Sequence, residues 1–160
     1  MTSHPWLHLG LRLGLGGFFL YASLDKIADP AAFARIVYQW QVLGAVPSNL
    51  VAVVLPWVEA LAGVMLIAGI WKREAAAVVA AMLVVFILAA GSVMARGIDV
   101  ENCGCVSTAA VKEPRWYEGV GFFLVARNLV LLGAALVLVR VPPRASLAET
   151  SPETVPAAQR

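Results

Sequence analysis

Four stretches of this chain are long and apolar enough to cross a bilayer, and nothing else in the sequence limits its fold as strongly. They run from about Trp6 to Ile27, Leu50 to Ile70, Ala75 to Ala95 and Tyr117 to Val139. Crossing about 30 Å of hydrocarbon takes about 20 mainly apolar residues in a helix. None of the four alternates apolar and polar residues with period 2, which disfavours a lipid-facing barrel. A helix satisfies its own backbone groups, as lipid demands. The expected fold is all-α, a four-transmembrane-helix bundle. Composition agrees: of 160 residues, 61% are hydrophobic and 14% charged, against about 45–50% and about 25% in soluble domains. That excess cannot hide in one soluble core, so most of it faces lipid. The same figures exclude a soluble enzyme and a disordered chain. A net charge of +2 without a basic run excludes a nucleic-acid binder.

The connections differ in character. Trp71-Lys72-Arg73-Glu74 reads as a tight turn between spans two and three. The segment 29–47 is longer. Asp29 suits a helix N-cap and Pro30 the first helical position. Phe33, Ile36, Val37, Trp40 and Leu43 make one apolar stripe. This predicts a short interfacial helix between spans one and two, equally readable as a helix packed on the bundle end. Residues 96–116 form a polar loop, and the Pro/Ala/Ser/Thr/Glu-rich stretch 141–160 reads as a disordered tail. The first span lacks a basic leader and carries Arg12, so it reads as a retained helix rather than a cleaved signal. Gly14, Gly16, Gly17, Ala60 and Gly63 predict close helix contacts.

Four spans put both termini and the 71–74 turn on one side. Lys72, Arg73, Arg140 and Arg144 lie near the membrane ends there, with little acid. The expected location is the bacterial inner membrane with cytoplasmic termini. The 96–116 loop is then extracytoplasmic, where disulfides persist.

Ionisable groups inside spans cost free energy and point to function. Three are deep: Arg12, Glu59 and Arg127. At a rise of 1.5 Å per residue, Glu59 lies about 14 Å and Arg127 about 15 Å from the outer ends of their spans. Equal depth predicts a Glu59–Arg127 pair across the bundle. Arg12 lies about 9 Å from the inner end, where it can also snorkel to the interface. Two arginines against one glutamate leave positive charge in the membrane, which suits an electron-accepting ligand such as a quinone head group. A structural Arg–Glu pair is the alternative. Asn128 adds a hydrogen-bonding group beside Arg127, or simply glues helices together. Pro56, one turn before Glu59, frees a backbone carbonyl. Asp25-Lys26 closes span one on the outer side and is also readable as a solvated helix end.

Cys103-Gly104-Cys105 is the sharpest signal. Two cysteines one residue apart can bridge only across a tight turn, which Gly104 permits. Closing so small a ring stabilises by only about 1.6 kcal/mol before strain is subtracted. A strained disulfide is readily reduced, which marks a catalytic or regulatory pair. Two thiolates could instead hold a soft ion such as Cu(I). Zinc would need further ligands, and His4 and His8 fall at the opposite membrane face. A third reading is a non-catalytic maturation or assembly factor with incidental thiols. With two cysteines in the whole chain, a relay between two pairs is excluded.

Taken together, these residues resemble the MauE/DoxX family of redox-associated membrane proteins. Arg12 matches the arginine of its first span, and Lys26, in YASLDKIADP, the lysine that ends it. Pro56 and Glu59 match a Pro-x-x-Glu in span two. Asn102-Cys103-Gly104-Cys105 match Asp-Cys-Gly-Cys, and Arg127-Asn128 the arginine of the last span. Two positions depart: Val106-Ser107 follow the cysteines where Phe-Gly is common, and Ser23 stands where glycine often precedes the lysine. The resemblance implies thiol–disulfide electron transfer at the membrane, and in its methylamine-utilisation members a maturation role beside a thioredoxin-like partner. The expected function is a membrane thiol–disulfide oxidoreductase or redox-maturation protein. Cys103 and Cys105 would exchange disulfides with a periplasmic thioredoxin-fold protein. A quinone would be held by Arg12, Lys26, Glu59, Arg127 and Asn128, and no metal is expected.

Overall fold

The structure, a computed structural model, describes residues 5–98 and 121–140. These form five helices: α1 (Pro5–Ala28), α2 (Pro30–Gln39), α3 (Ala45–Ala68), α4 (Lys72–Ala95) and α5 (Phe122–Arg140). Among the described residues there is no strand. Helices α1, α3, α4 and α5 are each long and apolar enough to cross a membrane. The expected all-helical, four-span fold is the observed one. The cysteine loop, the expected start of span four at 117–120 and the tail 141–160 lie outside the described residues.

Boundaries shift where end chemistry overrides hydropathy. Gly69 ends α3 in the left-handed region at φ 77°, with its N–H donating to the Met65 carbonyl at 2.9 Å. Lys72, Arg73 and Glu74, expected in a turn, instead form the first turn of α4, where an acidic side chain favours the helix dipole. Helix α3 starts at Ala45, five residues before the expected span, and Pro47 sits in its first turn, where its missing N–H costs nothing.

The spanning helices pack in a ring: α1 on α3, α3 on α4, α4 on α5, and α5 back on α1. The diagonal pair α3 and α5 makes no close backbone approach. The interior is apolar, around Leu15, Phe19, Leu66, Val79, Leu83 and Leu138. The outer face is apolar too: Leu61, Val85, Leu88 and Val130 are all well exposed. That pattern belongs to a bundle solvated by lipid rather than water.

Helix α2 crosses one end of the bundle and rests on α3 and α1. Asp29 caps it as the sequence predicts, its carboxylate accepting from the Ala32 N–H at 2.9 Å. Its apolar stripe faces the bundle. Phe33, Ile36 and Trp40 are buried, and the last two pack with Val93 and Leu124. Arg96 fastens this end. It donates to the carbonyls of Gln41 and Trp40, both at 2.8 Å, and so ties the end of α4 to the turn after α2.

The tightest helix contact is between α1 and α3. A Cβ added at Gly16 would lie 2.8 Å from the Gly63 carbonyl oxygen, and one at Gly63 would lie 2.8 Å from that of Gly16. Gly14 and Gly17, expected to share this role, do not: a Cβ at either meets nothing within 4 Å. They lie on other faces of the helix. Gly63→Leu is expected to force α1 off α3 and cost about 1–3 kcal/mol. Gly91→Ala, where a Cβ also meets nothing within 4 Å, is expected to be neutral or slightly stabilising. Thermal unfolding of the detergent-purified protein checks both, and equal melting temperatures would refute the close crossing.

Candidate functional site

The polar centre of the bundle is a buried ion pair that the sequence reading placed differently. The Lys26 ammonium donates to both oxygens of Glu59, at 2.9 and 2.7 Å. The two side chains are 4% and 10% exposed. Lys26 lies in the last turn of α1 and Glu59 past the middle of α3. The flexible four-carbon lysine stem bridges that offset, and its compact ammonium seats between the two oxygens. Phe33 of α2 closes over it, with Lys26 Nζ 5.1 Å from the ring centroid, a favourable cation–π placement. Lys26 is therefore no solvated helix end.

The expected Glu59–Arg127 pair is not formed. Its members sit on α3 and α5, the diagonal helices, and Lys26 on adjacent α1 takes both carboxylate oxygens. Equal depth does not imply adjacency. Arg127 instead has its guanidinium carbon 5.8 Å from the centroid of the Phe18 ring. Its Nε and Nη2 are buried with no hydrogen-bond partner among the described residues. Asn128 is buried and donates to the Leu124 carbonyl at 2.9 Å. Arg12 stands at the far end of the bundle. Its Nε donates to the Leu66 carbonyl at 3.0 Å and its Nη2 to that of Ile67 at 3.2 Å. It thus satisfies carbonyls left open at the end of α3, where a cation is favoured. Gly69 lies against this guanidinium, and a side chain there would collide with it. Fourteen residues of helix, about 21 Å, separate Arg12 from Lys26, and the structure does not bring the two together.

Beside the ion pair lies a cavity of about 470 Å³ at the α2 end of the bundle. Helices α1, α2, α3 and α4 supply most of its wall, including Phe18, Phe19, Phe33, Trp40 and Phe86. Lys26 and Glu59 lie on that wall, and α5 contributes Asn128. Three of the sequence-predicted site residues therefore share one cavity, while Arg127 is not among its lining residues and reaches only the ring of Phe18, which is. Val42 and Leu43, in the turn after α2, and Val85 on α4 line it too and are exposed, so the cavity is open on that side. Cys103 and Cys105 lie outside the described residues. Their segment joins the end of α4, beside Arg96, to the start of α5. The sequence reading missed Phe33 and Trp40 as parts of a site. Their signal was the apolar stripe of α2, which marks a buried face but not a cavity.

Each charge of the pair compensates the other, so removing one strands its partner. Lys26→Met and Glu59→Met are each expected to destabilise by about 3–5 kcal/mol, and the double variant by much less than their sum. Unfolding of the three variants in detergent reads this, and additive losses would refute the coupling.

Comparison with known proteins identifies one family. The profile described as methylamine utilisation protein MauE matches residues 4–141. The chain is 36% identical over 141 residues to a methylamine utilization protein MauE of Paracoccus denitrificans, covering 88% of this chain and 73% of that protein. It is 29% identical over 142 residues to the one from Methylophilus methylotrophus, covering 89% and 72%. To that of Paracoccus versutus it is 32% identical over 147 residues, covering 89% and 76%. No solved structure matches the chain. A match over nearly all of the bundle, from the start of α1 to the end of α5, makes this chain a member of the MauE family.

Proposed function

We propose that this protein is a membrane thiol–disulfide oxidoreductase serving redox maturation, with Cys103 and Cys105 as its exchanging pair and a quinone as electron partner. The observation that carries the reading is the open, mostly apolar cavity with a buried Lys26–Glu59 pair on its wall. It lies at the end of the bundle where the cysteine segment leaves α4 and enters α5. A buried charged pair beside a cavity marks a binding site more often than a structural staple, because lipid-embedded charge is costly.

The residues fit a quinone. The volume falls in the range of small-molecule sites, which are mostly apolar with few polar groups. Lys26, Asn128 and the surrounding aromatic rings would hold the head group, and the opening toward Val42, Leu43 and Val85 suits a molecule dissolved in the bilayer. A bound quinone supplies a two-electron, two-proton acceptor. The chain's own steps are thiol chemistry. In the reduced state one thiolate of the pair attacks a partner's disulfide, and the second resolves the mixed disulfide. Reduced partner leaves, and Cys103 and Cys105 remain as a disulfide. The reverse sequence oxidises the partner. The partner has a thioredoxin fold and meets the pair on the extracytoplasmic face, with the termini in the cytoplasm. The relatives are named for methylamine utilization, and maturation of a protein of that process is the role this reading assigns.

Alkylation trapping in intact cells tests it. Cys103 and Cys105 are expected to appear as a mixture of dithiol and disulfide that shifts when the quinone pool is reduced. Cys103→Ser is expected to abolish the maturation activity. Fully reduced thiols under oxidising conditions, or stoichiometric copper in the purified protein, would overturn the proposal.

A further inference from the structure

A buried ion pair is costly to assemble, and apolar residues of similar size often stabilise a core as well. Stability alone therefore does not account for Lys26 and Glu59. Both residues line the cavity, and no other ionisable side chain among the described residues does. Helix α4 carries no ionisable residue between Glu74 and Arg96, and Arg127 of α5 reaches only the ring of Phe18. Asp25 of α1 and Arg35 and Tyr38 of α2 are not on the wall. A proton passing between a described side chain and a molecule in the cavity has this pair as its station. The choice of cation suits that task. Arg12, Arg96 and Arg127, the other cations that meet carbonyls or rings of the bundle, are all arginines. An ammonium and a phenolic oxygen hold a proton with nearly equal strength in water, whereas a guanidinium does not release its own. Lys26 also lies in the last turn of α1, two residues before the helix ends at Ala28, so the end of the bundle is within one turn.

We infer that the Lys26–Glu59 pair is the proton donor to a quinone reduced in this cavity, with Lys26 as the source of the proton. The inference rests on the quinone reading above and adds the group that protonates the ring. Lys26 Nζ gives one N–H proton to an oxygen of the reduced ring, directly or across an oxygen of Glu59, to which it already donates at 2.9 and 2.7 Å. An N–H bond breaks and an O–H bond forms on the ring. The pair, neutral before, is left as amine and carboxylate, and its negative charge draws a replacement proton from the aqueous end of α1. Glu59 is the positioning residue: it holds the ammonium at the wall and keeps it charged until the ring arrives. The balance closes with the thiols. Cys103 and Cys105 release two electrons and two protons on forming their disulfide, and the quinone takes two of each to become quinol. One proton enters through the pair, and the other through the open side of the cavity at Val42 and Leu43.

Lys26→Arg separates proton donation from ion pairing. A guanidinium keeps the charge and can take both oxygens of Glu59, but it does not release a proton. The parent for the experiment is the full chain carrying Cys103→Ser and Cys105→Ser, in detergent, so that the cysteines take no part. Calorimetry measures its affinity for a short-chain ubiquinone. Absorbance then follows quinol formation at full occupancy, with electrons supplied by a reduced mediator dye. Lys26→Arg is expected to bind the quinone within about threefold of the parent and to form quinol at least about a hundredfold more slowly. Quinol formation as fast as in the parent would overturn the inference. The Lys26→Met/Glu59→Met variant removes the pair without stranding a charge and serves if arginine does not fit the site. The same loss of rate is expected from it, and an undiminished rate with the quinone bound would overturn the inference too. A parent that binds no quinone removes the quinone reading and this inference with it, whereas unchanged binding and unchanged rate in the variants remove this inference alone.

Discussion

A single buried contact, Lys26 with Glu59, sets the terms for the rest of the bundle. Each charge is tolerable in that interior only because the other is 2.7 Å away. Holding them together requires α1 and α3 to keep one relative position. The Gly16–Gly63 crossing provides it, because backbones that touch leave no room to slide. The pair also requires water to be kept out. Helix α2 does this by laying Phe33 over the ammonium. Ion pair, close crossing and covering helix form one mechanical unit, and the cavity is the space it leaves against α4.

The arginines show how a membrane bundle handles charge without carboxylates. Arg12 and Arg96 each turn their donors to main-chain carbonyls that a helix end or a turn leaves open. A guanidinium suits this because several N–H groups diverge from one plane and it cannot lose its charge. Arg12 completes α3 at one end of the bundle and Arg96 binds α4 to the α2 turn at the other. Arg127 makes no such contact, and among the described residues it is the one of the three with buried nitrogens left open.

Much of this was legible in the sequence, and the failures share one cause. The four spans, the Asp29 cap, the Pro30 start and the buried stripe of α2 all follow from local pattern. Glu59 and Asn128 stand out because polar groups in apolar runs are expensive, whereas Lys26 reads as the end of span one and enters the site only through the family resemblance. Yet Glu59 was matched with Arg127 on depth. Depth along a helix follows from counting residues at 1.5 Å each, whereas the neighbour of a side chain depends on the order of helices round the bundle. The same gap explains Gly14 and Gly17, which share composition with Gly16 but not its face, and Trp40, which read only as part of a stripe.

The sequence by itself determined that this chain crosses a membrane four times, carries a short helix over one end and places charge in its spans. Those properties depend on hydrophobic length, periodicity and capping, which act between residues close in the chain. Tertiary structure decided that Lys26, not Arg127, neutralises Glu59, that Arg12 belongs to the end of α3, and that Trp40, Phe33 and Asn128 meet around one cavity. Those outcomes depend on which helices are adjacent and how they are rotated. They are fixed by packing between residues tens of positions apart, and no local pattern encodes them.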